Sequence, residues 1–486
     1  MTQHNVFQES VLLITLHWVA VIGLSIRVIA RRTPVGVSLA WLVLIASTPG
    51  IGAALYLLFG EKRLGRQRAQ RIASSRVKIN DWQSHLCQLF SAADFPVSPQ
   101  AEPIQQYALN VLGFPVTGGN EITILKNYHA VFDSLVADIK ASKTSCQLCF
   151  YIWSEGGRSE EIFDALIEAA QRGVHCRALA DDIGSGRFLR SKRAKELRAA
   201  GIELVPALPT GLLRTLFVRR DLRNHRKIVI IDDVIAYTGS QNLVDPRFFK
   251  KESNVGEWVD AIVRVTGPTT VALDAVFELD WMVETCDHCT LLPSLTHLGN
   301  DFQGGALTQV VPSGPDREPE AIHQLLLTAL YAAKKEITLT TPYFVPDSAI
   351  LTALYTAAQR GVRVTLIVPA RNDSFLVRYA SVAHFDELLT AGVGIALFDG
   401  GLLHTKSLRI DDTISVFGSV NLDIRSLWLN FEISLFIYDE SFAKQLSDLQ
   451  NCYLKDSRYL QLDDWRQRPF WRKCAENTLR LTSPLL

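Results

Sequence analysis

Apolar residues are concentrated at the start of the chain. Val11 to Ile26 reads VLLITLHWVAVIGLSI, and Val35 to Phe59 reads VGVSLAWLVLIASTPGIGAALYLLF. A helix needs about 20 apolar residues to cross a bilayer. The second run has that length, and the first reaches it once Ser10 and a snorkelling Arg27 are taken in at its ends. A cleaved leader is the competing reading. It fits poorly, because no basic stretch precedes the first run and a second run follows at once. The pattern predicts a transmembrane helical hairpin over residues 1–62, with spans at about 10–29 and 35–59 and Arg31, Arg32 and Pro34 in its turn. His17, inside the first span, reads as a packed or interfacial side chain. Lys62, Arg63, Arg66, Arg68 and Arg71 follow the second span. Such a cluster favours a cytoplasmic position for the rest of the chain and meets anionic headgroups there.

Residues 63–120 carry few strong signals and read as a basic juxtamembrane segment and linker with some helix. Beyond them the periodicity changes. Amphipathic helical stretches end at Gly and give way to β-branched runs. The string AAQRGV occurs at Ala169–Val174 and again at Ala357–Val362, followed by VHCRALA in one case and VRVTLIV in the other. CFYIW is answered by TTPYFVP, and HRKIVIIDDVIAYTGSQN by HTKSLRIDDTISVFGSVN. His225 and His404 are 179 residues apart, as are Gly239 and Gly418. A constant offset across a whole motif indicates duplication of a domain-sized unit rather than a short solenoid repeat. Alternating helix and strand predicts α/β lobes, the first at 121–298 and the second at 299–486 with a C-terminal tail.

Composition narrows the picture less. A chain of 486 residues is expected to hold two or three domains. Fifty basic and 50 acidic residues cancel, so bulk charge names no partner and does not suggest the broad basic groove of a nucleic-acid binder. Eight cysteines are too few for a disulfide scaffold and suit a reducing compartment. Two C-x-x-C spacings occur, Cys146/Cys149 and Cys286/Cys289, without a second pair nearby to complete a tetrahedral zinc site.

The repeated constellation carries the chemistry. Each copy reads H-x-K, four residues, D, six residues, G-S-x-N. The first comprises His225, Lys227, Asp232, Gly239, Ser240 and Asn242, the second His404, Lys406, Asp411, Gly418, Ser419 and Asn421. In a strand, His and Lys two apart share a face, and crowding them there calls for an anion. Lysine meets phosphoryl oxygens as a point charge. A Gly–Ser turn brings backbone N–H groups close, with the Ser240 and Ser419 hydroxyls and the Asn242 and Asn421 amides as further donors. Histidine acts as nucleophile or as acid and base. Two copies place two histidines at one phosphorus, one on each side for in-line displacement of a phosphodiester.

A catalytic histidine needs a group to hold its tautomer. Asp260 in GEWVDAIV and Glu432 in WLNFEISLF are acids in otherwise apolar strands. Buried acids are costly unless paired, so these two are the candidates to orient His225 and His404. Asp232 and Asp411, counted among the catalytic residues as the acids of the motif, end their strands, where fixing the turn is the simpler role. GLLRTLFVRRDLR (Gly211–Arg223) mixes apolar side chains with arginine and suits the headgroup layer; RPFWRKCAENTLRLTSPLL at the C-terminus is similar but reads as ordinary surface.

This duplicated H-x-K-x4-D with G-S-x-N resembles the phospholipase D superfamily, and within it the bacterial cardiolipin synthases. LYLLFGEKRLGR, LRNHRKIVIIDD, YTGSQNLVDPRFF, VGEWVD, TTPYFVPD, GGLLHTKS and GSVNLDIRSLWLNFE carry the likeness over nearly the whole length. The resemblance implies two similar lobes, each of the α/β/α sandwich type, with the site at their interface and neither metal nor cofactor. It implies that two phosphatidylglycerols are joined into cardiolipin and glycerol at the bacterial inner membrane through a phosphatidyl-histidine. His225 would be the nucleophile, and His404 the general acid and then the base. The implied partners are phosphatidylglycerol and anionic membrane lipid, not nucleic acid. The residues alone leave open whether water or a lipid alcohol accepts the phosphatidyl group, because that depends on how dry the site is. They also leave the oligomeric state open.

Overall fold

The computed structural model describes the chain except for residues 1, 32–34, 62–63, 92–94, 96, 212–218, 220, 286–291, 296–297, 299–301, 303, 317, 319 and 481–486. Two compact units emerge, residues 1–67 with 210–221, and residues 68–209 with 222–486. Most of Gly211–Arg223, Arg32 and Pro34 of the expected turn, and the Cys286/Cys289 pair lie outside the described residues.

The first unit is helical. Thr2–Ala30 forms one helix, and Val11–Ala30 within it is long and apolar enough to cross a membrane. The second apolar run is not one continuous helix over 35–59. It is broken into Val35–Ser47 and Ile51–Phe59. Pro49 lacks an N–H for helical pairing, and Gly50 takes φ 72°, a left-handed conformation that glycine tolerates. Val21, Val28, Ile45 and Tyr56 pack together between the helices. Glu61 is buried, and it accepts from Arg27, from Arg31 Nη2 at 3.1 Å and from the Tyr56 hydroxyl at 3.1 Å. Arg27, expected to snorkel, is therefore held in an ion pair, and Glu61 returns to the end of the first helix where Arg27 and Arg31 sit.

The second unit is built on a sheet of 15 strands. From the centre outward, one half runs Thr117–Leu125, Ile262–Thr266, Ile235–Gly239, Ile228–Ile231, Ser145–Phe150, His175–Asp181 and Glu203–Ala207. The other runs Ala306–Ser313, Glu432–Ile437, Ile414–Gly418, Ser407–Ile410, Glu336–Thr340, Arg363–Pro369 and Gly394–Phe398, with Ser457–Tyr459 added at its edge. The two halves have the same connectivity. They join at the centre through an antiparallel pairing of Thr117 with Thr308 and Asn120 with Ala306, interrupted by a bulge. The outer strands of each half are parallel and joined by helices, as in Ser145–Phe150, Ser159–Gln171 and His175–Asp181. The four-residue strands that carry the motifs are antiparallel to their neighbours and fully buried.

Residues expected to be a linker contribute core. The helix Arg66–Ser91 buries Ile79, Trp82, Leu86 and Phe90, an apolar stripe at helical spacing. Phe90 packs on Phe302 with ring centres 4.4 Å apart. The first central strand starts at Thr117, inside the expected linker.

Candidate active site

Each motif histidine stands where its own half of the sheet unit meets a segment of the other half. The regular strands begin at Ile228 and Ser407, so His225, Lys227, His404 and Lys406 lie in extended chain just before them. The His225 N–H donates to the Phe431 carbonyl at 2.8 Å, and the Phe431 N–H donates to the Arg223 carbonyl at 2.9 Å. On the other side, the His404 N–H donates to the Val259 carbonyl at 2.8 Å, beside a short parallel pairing of Leu402–Leu403 with Trp258–Val259. The residue after each acceptor is an acid, Glu432 in one case and Asp260 in the other. Backbone pairing therefore delivers each acid to the histidine of the opposite half.

The acids reach the rings. His404 Nδ1 lies 2.7 Å from Asp260 Oδ1, and His225 Nδ1 lies 3.3 Å from Glu432 Oε1. With Nδ1 facing a carboxylate, Nε2 is left to meet a substrate. Both acids are buried. Burial alone would raise Asp260, but the His404 and Lys406 charges more than offset it and hold it below the usual range. Glu432 is held down in the same way, by His225 and Lys227 against burial.

The lysines are placed identically. Each Nζ donates to the carbonyl of its own motif histidine at 2.6 Å, Lys227 to His225 and Lys406 to His404. Burial lowers Lys227 and pushes Lys406 down to about 7. Burial also lowers His225, and takes His404 down to about 4 despite Asp260. Lys227 contributes to the lowering of both Lys406 and His404, so the two motifs form one electrostatic cluster. A cluster this rich in buried donors favours an anion in its midst.

Other motif residues act inside the protein. The Ser419 hydroxyl donates to Glu432 Oε2 at 2.6 Å, and the Ile433 N–H donates to the same hydroxyl at 3.0 Å. The Ser240 hydroxyl exchanges equivalent bonds with the backbone of Ala261 and helps to keep Asp260 ionised. Both serines, expected to face phosphate, thus brace the acids instead. Glycine precedes each serine because a Cβ at Gly239 or Gly418 would come within 2.6 Å or 2.3 Å of a carbonyl on the adjoining strand. Asn242 accepts from the Ile152 N–H at 3.2 Å, and Asn421 donates to the Ser426 hydroxyl at 3.2 Å.

Asp232 and Asp411 do not belong to the site chemistry. Asp232 accepts from the backbone N–H groups of Lys143, Thr144 and Ser145, and Asp411 from those of Lys334, Lys335 and Glu336. Both take left-handed φ, near 51–52°. Their carboxylates tie the far end of each motif strand to the start of its neighbour, so counting them as catalytic is corrected to a structural role.

Three aromatic residues complete the site and were not singled out from sequence. Tyr151 packs on His225 with ring centres 3.9 Å apart, Trp258 on His404 at 4.4 Å, and Tyr343 stands edge-on to His404 at 6.5 Å. The signal was present for the tyrosines, which hold matching places in CFYIW and TTPYFVP. Burial pushes Tyr151 up to about 12 and raises Tyr343 well above its ordinary value, so both remain neutral hydroxyls.

Comparison with known proteins agrees with this geometry. Residues 135–281 and 326–451 match the family model described as cardiolipin synthase, PLD-like domain, and residues 19–61 match that of the phospholipase D-nuclease N-terminal region. The chain is 43% identical over 473 residues to cardiolipin synthase A of Proteus mirabilis, covering 97% of each. Identity is also 43% to the Yersinia pseudotuberculosis cardiolipin synthase A, again over 97% of both chains. Among solved structures, the phosphatidylserine synthase of Haemophilus influenzae superposes with a TM-score of 0.59 at 16% identity, over 79% of this chain and all of that one, a likeness of fold. With its duplicated motif, its crossed acids and these relatives, the chain belongs to the cardiolipin synthase family of phospholipase D-like enzymes.

Proposed function

We propose that this chain is a phosphatidyltransferase that joins two phosphatidylglycerol molecules into cardiolipin and glycerol. The observation that carries the reading is the crossed pair of histidines, each backed by a buried acid from the opposite half and each followed by a lysine. His225 Nε2 attacks the phosphorus of the first lipid. The P–O bond to the headgroup glycerol breaks, and His404 supplies the proton that glycerol takes away. A phosphatidyl-histidine remains. His404, now neutral, removes the proton from the terminal hydroxyl of a second phosphatidylglycerol, whose oxygen attacks phosphorus as the P–N bond breaks. Cardiolipin leaves, and both histidines regain their starting states.

The charges suit these steps. A phosphodiester monoanion between Lys227 and Lys406 opposes the burial that depresses His404, and so favours the imidazolium needed as general acid. His225 is the more exposed ring, 21% against 8%, which suits the residue that must reach phosphorus. His404 has the tighter carboxylate partner, as an imidazolium-forming acid and base requires.

The reading places the enzyme in the bacterial inner membrane, anchored by its N-terminal helices with the catalytic body in the cytoplasm. The apolar helix Val11–Ala30 and the basic residues from Arg66 to Arg71 support that placement. Purified protein incubated with phosphatidylglycerol alone tests the activity. Cardiolipin with an equal amount of free glycerol is the expected outcome. Phosphatidic acid as the main product would make the enzyme a hydrolase.

A further inference from the structure

Three separate segments of the body combine exposed aromatic rings with basic residues. They are residues 246–251 (PRFFKK), 371–379 (RNDSFLVRY) and 468–474 (RPFWRKC), which together hold eight Lys or Arg and one acid, Asp373. Among the described residues of this unit, every exposed Phe and Trp falls in them: Phe248, Phe375, Phe470 and Trp471 are 56–80% exposed. Leaving such rings in water forgoes roughly 1.5–3 kcal/mol each. Concentrated with cations, they mark a surface made for another phase.

Contacts join the segments to the site. Lys250 Nζ lies 3.1 Å from Asp373 Oδ2, bridging the first segment to the second. The same Nζ is 5.4 Å from the ring centre of Trp258, which packs on His404. Asp373 also accepts from the Tyr343 hydroxyl at 2.9 Å, and Tyr343 stands beside His404. The helix Phe375–Val382 packs against Phe470–Arg480, which brings the third segment alongside the second. A cavity of about 420 Å³ lies beside this helix, with Arg378 and Arg468 among polar and apolar lining residues that include Val382, Phe385 and Trp465. Lys251 and Arg247 lie 4.9 and 5.6 Å from the centre of the exposed Phe248 ring, so cations stand beside it.

We infer that these segments form a docking rim that seats the mouth of the site on the headgroup layer of an anionic bilayer, with Phe248, Phe375, Phe470 and Trp471 as interfacial anchors. Aromatic and basic side chains interleaved at one surface are the pattern that partitions to that layer, through apolar insertion and attraction to anionic lipid. The net excess of seven positive charges in these segments selects an anionic lipid surface over a neutral partner. The rim goes beyond the membrane helices, because it sets where the body meets lipid and lets substrate pass from bilayer to histidine without crossing water. The inference rests on a lipid substrate, as in the reading above.

Full-length protein in liposomes, with and without phosphatidylglycerol in a phosphatidylcholine background, tests it. Docking is read without activity from quenching by lipids brominated near the headgroup, as the difference between the native protein and Trp471→Phe. Quenching of the Trp471 contribution, stronger with the anionic lipid, is expected; its absence overturns the rim. Activity gives a second reading, with Phe248→Ser/Phe375→Ser and, to guard against misfolding, Lys251→Gln/Arg371→Gln/Arg378→Gln. Each should lose about tenfold or more on bilayer phosphatidylglycerol and little on monomeric dihexanoyl phosphatidylglycerol. Equal loss on both substrates, or no loss on either, overturns the inference. So does a change in oligomer size, which would make the face a contact between copies. If the native protein forms cardiolipin from neither substrate, the phosphatidyltransferase reading fails while the quenching still decides the rim.

Discussion

His404 and Asp260 come from opposite halves of the catalytic body, yet Nδ1 and Oδ1 are 2.7 Å apart, and the His404 N–H is bonded to Val259, the residue before that acid. The same relation holds His225 to Glu432. Asp260→Asn and Glu432→Gln keep the volume and remove the charge that stabilises an imidazolium. Each should lower kcat by roughly 10²–10⁴ with little change in melting temperature. Near-normal turnover in either variant would show that its histidine is held by something else.

The division of labour between the histidines can be separated by leaving group. A general acid matters only while the departing oxygen needs a proton, whereas a nucleophile always matters. With a phosphatidyl ester of p-nitrophenol, His404→Ala should release a burst of nitrophenol and accumulate phosphatidyl-enzyme. His225→Ala should release none. The opposite pattern reverses the roles, and no burst from either variant argues against a covalent intermediate.

The depressed lysine sets an alkaline limit. In the free enzyme Lys406 sits at about 7, well below its ordinary value, because burial disfavours its charge. It is cationic and able to hold phosphate below that pH, and loses the charge as pH rises through it. The free-enzyme parameter kcat/KM should therefore fall more steeply above about pH 7, adding to the loss that begins as free His404 sheds its proton at about 4. By contrast kcat, measured with the phosphodiester anion already bound, should fall only at higher pH. Lys406→Arg, whose guanidinium stays charged, should remove the added steepness near pH 7 even if it lowers the rate. Unchanged steepness would assign it to another group.

Removing the acid at the end of a motif strand should injure the fold rather than the chemistry. Asp411→Ala leaves three backbone N–H groups at Lys334, Lys335 and Glu336 without their acceptor, and Asp232→Ala does the same at Lys143, Thr144 and Ser145. A loss of about 1–3 kcal/mol in stability is expected for each. The fraction that remains folded should turn over within a few-fold of normal. A stable but inactive variant would return the residue to the catalytic set.

Topology has its own test. With the body in the cytoplasm, a cysteine placed at Lys192, whose side chain is 91% exposed, in a variant without the exposed Cys452 and Cys474, should resist an impermeant maleimide in intact spheroplasts and react once they are lysed. Ready labelling of intact spheroplasts would put the body on the other face.

Much of this was legible in the chain. The repeat of His225–Asn242 at His404–Asn421 revealed the duplication, because spacing survives where packing diverges. Asp260 and Glu432 stood out as acids in apolar strings, though which histidine each would serve depends on contacts between residues far apart in sequence, 144 for His404 with Asp260 and 432 − 225 = 207 for His225 with Glu432. The serines were misjudged for a similar reason. The partner of Ser419 is an acid 13 residues away on the adjoining strand, and motif chemistry alone does not show that it turns inward. The second apolar run was read by its length, although Thr48–Pro49–Gly50 carried a break signal inside it. The helix Arg66–Ser91 was hidden by its charged opening, while the stripe from Ile79 to Phe90 kept helical spacing throughout.

The matching connectivity on the two sides of the central strand pair has a consequence for ancestry and for halves of the gene. Residue i of one half holds residue j of the other, and j holds i, which is the signature of an isologous contact between identical subunits. A single half has a histidine without its acid and an acid without its histidine. Its simplest working form is a symmetric pair, joined edge to edge where Thr117 and Asn120 now meet Thr308 and Ala306. Fusing two such copies in one chain relieved them of having to be identical. One acid is now Asp260 and the other Glu432, and Trp258 packs on His404 where Tyr151 packs on His225. Asymmetry of that kind is what allows one histidine to specialise in attack and its twin in moving protons.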